Sequence, residues 1–395
     1  MEPIHENRFI YRLPLVNFLL AALLGTVLRF HVYRPIPHFN FLNWLQVHSH
    51  LMFLGWVTLA LFIFIFRKLD VARYNSLIIS TIIVFELASL AMLISFPTGG
   101  YGVLSVVMLS ITMVAGFIFL WIIMKTTGHL QNAGWRFIGS GLIFMVVSSA
   151  GPLALGPISA MGLKDTLWYN YAIYFYLHFQ YNGWFFMAIT GLIILGSGAW
   201  EVKNRPGIMG SARYLNLAIV LTFFLSVLGY GNTLWFNVMG GAGAILQLVI
   251  ITRFIKSYLE FYNRPVDTDP GPAGIFLRIA ILSLYLKLVL QVFSAFPFMT
   301  EFIEGTRAVI ISYLHLVLIG FVSLSLLNFY LIEPAKRKNI SVVRTHSYIF
   351  LAGFFLNEFV LLITVTGGIA IIIPQLLVTA SVIMVIGIAG FLAAL

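Results

Sequence analysis

The chain predicts an all-α integral membrane protein of about twelve transmembrane helices, set in three four-helix arcs with a pseudo-threefold repeat. Three observations carry that prediction. Hydrophobic residues make up 61% of the sequence and charged ones 9%, where a soluble domain has about a quarter of its residues charged. Apolar runs of about 20 residues, the length a bilayer core demands of a helix, recur from one end to the other. A histidine-centred motif returns three times, four spans apart.

Helices rather than a barrel follow from the length and continuity of the runs. Barrel strands would be about ten residues long and alternate in polarity. The expected spans lie near 14–33, 43–66, 75–97, 102–124, 136–157, 168–199, 213–231, 233–254, 274–297, 308–332, 345–366 and 369–393. Basic residues then divide unequally. Arg8, Arg12, Arg67, Lys68, Arg136, Lys203, Arg253 and Lys336 are among the many on one side; Arg29, Arg34, Lys164 and Arg307 flank spans on the other. The positive-inside rule puts the richer side, with both termini, in the cytoplasm, and places the protein in the cytoplasmic (inner) membrane. The net charge of +10 is thus a property of loops facing lipid headgroups and not a nucleic-acid footprint. The N-terminus "MEPIHENRFIYRLP" carries acidic residues and reads as no cleavable signal. No separate soluble domain is expected, since the longest polar stretch, 260–274, is short and broken by Pro and Gly.

The absence of cysteine excludes disulfides, thiolate metal ligands, iron–sulfur clusters and covalent c-type haem attachment. Histidine is left as the ligand type. The second span holds "HSHLMFLGW", the sixth "YLHFQYNGWF" and the tenth "SYLHLVLIGF". Each places a His five residues before a Gly that an aromatic follows: His50/Gly55/Trp56, His178/Gly183/Trp184 and His315/Gly320/Phe321. The repeat divides the chain into units of roughly 1–130, 131–265 and 266–395 within one polytopic domain. Counted from the cytoplasmic charges, all three histidines fall in the outer part of the membrane. A lone intramembrane His is usually an interior residue with a hydrogen-bond partner. Three at one depth point instead to ligation, because neutral imidazole is the commonest metal ligand and haem iron takes two. His48 and His50 are two residues apart, about 200° around a helix. They face different neighbours, and either is a candidate ligand.

These residues resemble the haem–copper oxidase catalytic subunit, a superfamily that includes the nitric oxide reductases. The resemblance covers nearly the whole chain in architecture, while its motifs are short. "HSHLMFLGW" is similar to the segment that carries a low-spin haem ligand, with His48 at the matching position. "YLHFQYNGWFF" resembles the segment in which a His binds copper or non-haem iron, matching His178. "YLHLVL" resembles the tenth-helix His-x-His segment, with His315 at the low-spin ligand position and Tyr313 where the high-spin haem ligand would stand. The family's seventh-helix His-His pair has no counterpart, since no histidine occurs between 213 and 256.

The resemblance therefore implies a divergent, non-oxidase branch similar to the nitric-oxide-response membrane proteins. The expected cofactor is haem b between the second and tenth spans, with His48 or His50 on one side and His315 on the other. Arg34 and Arg307 are candidates for its propionates, and Tyr313 for a neighbouring contact. Copper or a second haem would engage His178 with the remaining second-span imidazole. Electron transfer, with quinol or a cytochrome as redox partner, or binding of a diatomic gas such as nitric oxide, is the expected function; oxygen reduction is not. The rival expectation is a transporter or a non-catalytic assembly subunit, whose histidines are structural. Lys287, Glu86 and Glu358 lie inside spans and are candidates for a proton path or an internal ion pair.

Overall fold

A computed structural model describes residues 8–69, 74–128, 132–230, 234–261, 271–332, 339–365 and 372–394. His5, His129, Arg73, Arg264, Lys336 and most of the 260–274 loop lie outside them. Twelve helices are long and apolar enough to cross a bilayer: α1 (Phe9–Tyr33), α2 (Phe41–Arg67), α3 (Asn75–Gly99), α4 (Val103–Thr127), α5 (Ala133–Ala160), α6 (Leu167–Gly196), α7 (Pro206–Ser226), α8 (Leu234–Phe261), α9 (Gly271–Phe293), α10 (Arg307–Ile332), α11 (Ile340–Val365) and α12 (Ile373–Ala394). Every expected span has its helix, so the chain is a multi-pass, all-α membrane protein. The expected and observed boundaries differ at the ends, where local capping decides. Asn40 caps α2 by accepting from the Asn43 N–H at 3.2 Å. Asn132 does the same for α5, accepting from Gly134 and Trp135. Gly100, at φ +54°, turns the chain out of α3. A short helix at Pro297–Gly305 was not expected; it opens with proline in its first turn, where a missing N–H costs nothing.

The helices that carry the repeated motif differ from the others in form. In each, an α-helix runs up to the histidine and then widens into a π-helix. The π segments are Leu51–Thr58 after His50, Phe179–Phe185 after His178, and Leu316–Ser323 after His315. π-Helices are rare and concentrate at functional positions. In α2 and α10 a hydroxyl braces the wide turn: Thr58 Oγ1 donates to Phe53 O at 2.8 Å, and Ser323 Oγ donates to Leu318 O at 2.7 Å. Both bonds reach five residues back, as the π register does. The threefold repeat is therefore a repeat of backbone form as well as of sequence.

Packing groups the described chain into two compact units. The first comprises 1–119, 270–280 and 308–395, and the second 120–269 and 281–307. In the first unit, Trp56 lies within α2 with its ring fully buried, stacked on Phe18 of α1 with ring centres 4.5 Å apart. Its indole N–H donates to Ser323 Oγ at 2.9 Å, which ties the π segment of α2 to that of α10. Tyr330 donates to the Tyr11 carbonyl at 3.0 Å, joining α10 to α1. Small residues bring α11 and α12 together, as they do where lipid offers no hydrophobic drive for association. A Cβ at Gly387 would lie 2.6 Å from the Phe350 nitrogen, and one at Gly353 2.8 Å from the Met384 nitrogen. In the second unit α5 and α6 meet the same way, with Gly191 against the Gly134 carbonyl.

Candidate functional site

The first unit holds His48, His50 and His315. His48 and His50 leave α2 towards different neighbours. The His48 ring turns to α1, where Nδ1 lies 2.8 Å from the Ala21 carbonyl. A carbonyl only accepts, so Nδ1 carries the proton and Nε2 is left with its lone pair. Nε2 has no hydrogen-bond partner among the described residues. Gly25, one turn along α1, makes room for the ring, since a Cβ there would stand 3.0 Å from Cε1. His50 faces the end of α3 instead. Its ring stacks on Phe96 with centres 4.7 Å apart, Nδ1 meets the Gln46 carbonyl of its own helix at 2.8 Å, and Nε2 lies 3.5 Å from the Tyr101 hydroxyl.

His315 sits at the end of the α-helical part of α10. Asn357 of α11 reaches its Nδ1 at 3.3 Å, and Glu358 Oε1 lies 4.0 Å from the same nitrogen. The pair is itself fixed. Asn357 Nδ2 donates to Glu358 Oε1 at 2.7 Å, and Ser312 Oγ donates to Oε2 at 2.8 Å. His315 Nε2 has no partner among the described residues, and the side chain keeps 24% of its surface accessible. No residue of α10 from Arg307 to His315 is buried, whereas the π segment that follows is buried at six positions. The helix is half-buried for most of its length up to the histidine and largely buried beyond it.

The His48 and His315 imidazoles and the Arg29 guanidinium fall within electrostatic range of one another. Arg29 also feels Glu358 and donates Nη1–H to the Leu377 carbonyl at 3.3 Å. The sequence marks Arg29 only as a residue flanking a span. Its position one turn beyond Gly25, on the face that meets His48, is the signal that would have singled it out. Arg34, expected at the propionates, is exposed and lies over the Tyr33 ring at 5.4 Å. Arg307 is exposed at the start of α10. Tyr313 is half-buried, one turn before the π segment.

His178 belongs to the second unit and has both ring nitrogens engaged. Nε2 lies 2.8 Å from the Ile219 carbonyl, so it bears the proton. Nδ1 then accepts from Ser226 Oγ at 2.8 Å and from Asn182 Nδ2 at 3.1 Å. No lone pair remains for a metal, which is the arrangement of a satisfied interior histidine. Among the described residues, no group of three or more His, Asp or Glu side chains is placed to hold a metal ion.

The intramembrane carboxylates have their own partners. Asn17, fully buried, donates Nδ2–H to Glu86 Oε1 at 2.8 Å and Oε2 at 3.0 Å, and to the Gly55 carbonyl at 2.9 Å. That carbonyl lies in the π segment of α2. An ion pair of Lys287 with either glutamate is not formed among the described residues. No protein-family model matches the chain, and no curated protein matches it significantly.

Proposed function

We propose that this chain is a membrane haem protein in which one b-type haem lies between α2 and α10, ligated by His48 Nε2 and His315 Nε2, and serves electron transfer. The observation that carries this reading is the contrast among the histidines. Of the four histidines on the repeated motif, His48 and His315 are the two whose Nε2 has no partner among the described residues, and their rings lie within electrostatic range of one another. Bound there, haem would supply one-electron oxidation and reduction, and His48 and His315 would be the residues that hold it.

The protein residues supply orientation and charge. The Ala21 carbonyl fixes the tautomer and plane of the His48 ring, as the outer partners of metal-binding histidines do. Asn357 and Glu358 stand behind His315 Nδ1; the amide nitrogen faces that atom at 3.3 Å, so ligation through Nε2 requires the ring proton on Nδ1 with the Asn357 amide turned to present its oxygen. Arg29 supplies a cation within electrostatic range of both rings, suited to a propionate through a charge-assisted hydrogen bond. His50, two residues from His48 but turned to Phe96 and Tyr101, takes no part in ligation. With His178 satisfied internally, copper or a second haem forms no part of the reading. Filled axial positions favour electron exchange with a quinol or a cytochrome over binding of nitric oxide, which would need a ligand displaced.

The test is a reduced-minus-oxidised spectrum of protein purified from haem-replete cells, with the pyridine haemochrome for stoichiometry. The expected result is the sharp band of a six-coordinate b haem at about one haem per chain. A colourless, folded protein from the same cells overturns the proposal.

A further inference from the structure

The second unit contains a buried cation whose surroundings are not explained by electron transfer. Lys287 lies mid-way along α9 and is 3% exposed. Among the described residues its ammonium has neither a carboxylate partner nor a hydrogen-bond acceptor. An unpaired charge in such a place costs several kcal/mol or more, and intramembrane charges are kept where they bind something.

The neighbouring polar side chains are equally unfinished. Ser283, Lys287 and Gln291 stand four residues apart on one face of α9 and are all buried. Gln291 Nε2 donates to Gln247 Oε1 of α8 at 3.3 Å, while Gln291 Oε1 and Gln247 Nε2 are buried without partners. Gln247 is fully buried. Exchanging O and N in both amides changes nothing, since any arrangement of one bond between them leaves one amide N–H₂ group and one oxygen over. Lys287 adds an amine that in its protonated form brings three more donors and a positive charge. The helix side chains lean towards the N-terminus of α9, so Gln291 tilts towards the Lys287 turn. The cluster has an excess of donors and of charge, which is the recognition chemistry of an anion. A cation is disfavoured by the ammonium, and a purely apolar occupant would leave every one of these atoms unsatisfied.

We propose that Lys287, Gln291 and Gln247 form an intramembrane binding site for a small monovalent anion, inorganic or carboxylate. The ammonium supplies the counter-charge and an amide N–H₂ the second donor, and the free amide oxygen accommodates a proton or a water carried with the ligand. The site belongs to the second unit, whereas His48 and His315 belong to the first, and its proposal does not depend on haem being bound there.

The experiment is thermal unfolding of the detergent-purified full chain against rising sodium chloride, sodium formate and sodium nitrite. Sodium gluconate, a bulky polyhydroxylated anion, holds ionic strength constant. The expected result is a saturable rise in midpoint with at least one of the three small anions. Lys287→Met should unfold cooperatively and lose the saturable rise, and Gln247→Leu should weaken it by about tenfold or more, the scale of one hydrogen bond to a charged group. Size-exclusion profiles establish that both variants are folded. If neither variant folds, Gln291→Leu with the same titration decides, its weakened dependence supporting the site. No saturable effect of any of the three anions on the wild type, or an undiminished one in a folded variant, overturns the proposal.

Discussion

His48 of α2 and Ala21 of α1 are joined by a 2.8 Å hydrogen bond from the ring Nδ1–H to the carbonyl, across 27 residues of sequence. That bond decides what the histidine has to offer. It leaves Nε2 as the only basic atom of the ring, and His315 lies within electrostatic range of that ring. His178, with its Nε2 proton given to Ile219 and its Nδ1 filled by Ser226, offers nothing comparable.

His50→Ala and His178→Ala are accordingly expected to retain bound haem. Their effects should be on packing. Loss of the His178 ring takes the acceptor from the buried Asn182 amide and the Ser226 hydroxyl, a cost of about 1–3 kcal/mol, while the Ile219 carbonyl keeps the Thr222 hydroxyl as donor. Haem content per folded chain, measured beside the midpoint of thermal unfolding, separates the two effects. A His50→Ala protein that folds but binds no haem would mean that the repeat, and not the ring geometry, identifies the ligand.

Gly25 is expected to control the His48 ring from the opposite side. Its missing side chain leaves the space that Cε1 occupies, and a Cβ at 3.0 Å must displace one or the other by a few tenths of an ångström. Gly25→Leu should strip or severely reduce the haem, with Gly25→Ala intermediate. Gly156→Ala, with no side chain within 4 Å of its added carbon, is the matched control. Haem-to-protein ratios equal to wild type in Gly25→Leu would show that the ring is not held where the fold places it.

Asn17 ties a buried carboxylate to the widened backbone of α2. Asn17→Leu leaves Glu86 and the Gly55 carbonyl without this donor and should cost about 2–4 kcal/mol. Removing the carboxyl group as well, in Asn17→Leu/Glu86→Leu, should return part of that loss, because the penalty comes from the stranded polar group. Additive losses in thermal or denaturant unfolding would refute this account of the pair.

The bond between Trp56 and Ser323 links two π segments and should behave as a coupled pair. Ser323→Ala deprives the fully buried indole N–H of its acceptor and should destabilise by about 1–2 kcal/mol. In a double-mutant cycle with Trp56→Phe the coupling should be about 1 kcal/mol. A cycle that closes to zero would place the stability of the π segments elsewhere.

The twelve helices were legible because lipid imposes one solution on the backbone, and composition announces it. The facing of His48 and His50 was legible too, since two residues on a helix differ by a fixed angle. What each histidine touches was not. The partners that set their chemistry are Ala21, Ile219 and Ser226, between 27 and 48 residues away, on helices whose approach no local pattern encodes. The π segments have no propensity signature either, yet the Gly–aromatic pair five residues after each repeated histidine marked their place. Arg29 was passed over because a basic residue at a span end reads as an interfacial anchor. Its tie to the Leu377 carbonyl and its closeness to two imidazoles appear only once α1, α2, α10 and α12 are assembled.

Near-infrared magnetic circular dichroism of the oxidised, purified protein tests the axial pair most directly, because it distinguishes two imidazoles on iron from other ligand sets. Wild type, His50→Ala and His178→Ala should all give the bis-imidazole signal, and His48→Ala and His315→Ala should each lose it. Persistence of that signal in folded His48→Ala or His315→Ala protein, or its absence from haem-loaded wild type, contradicts the account.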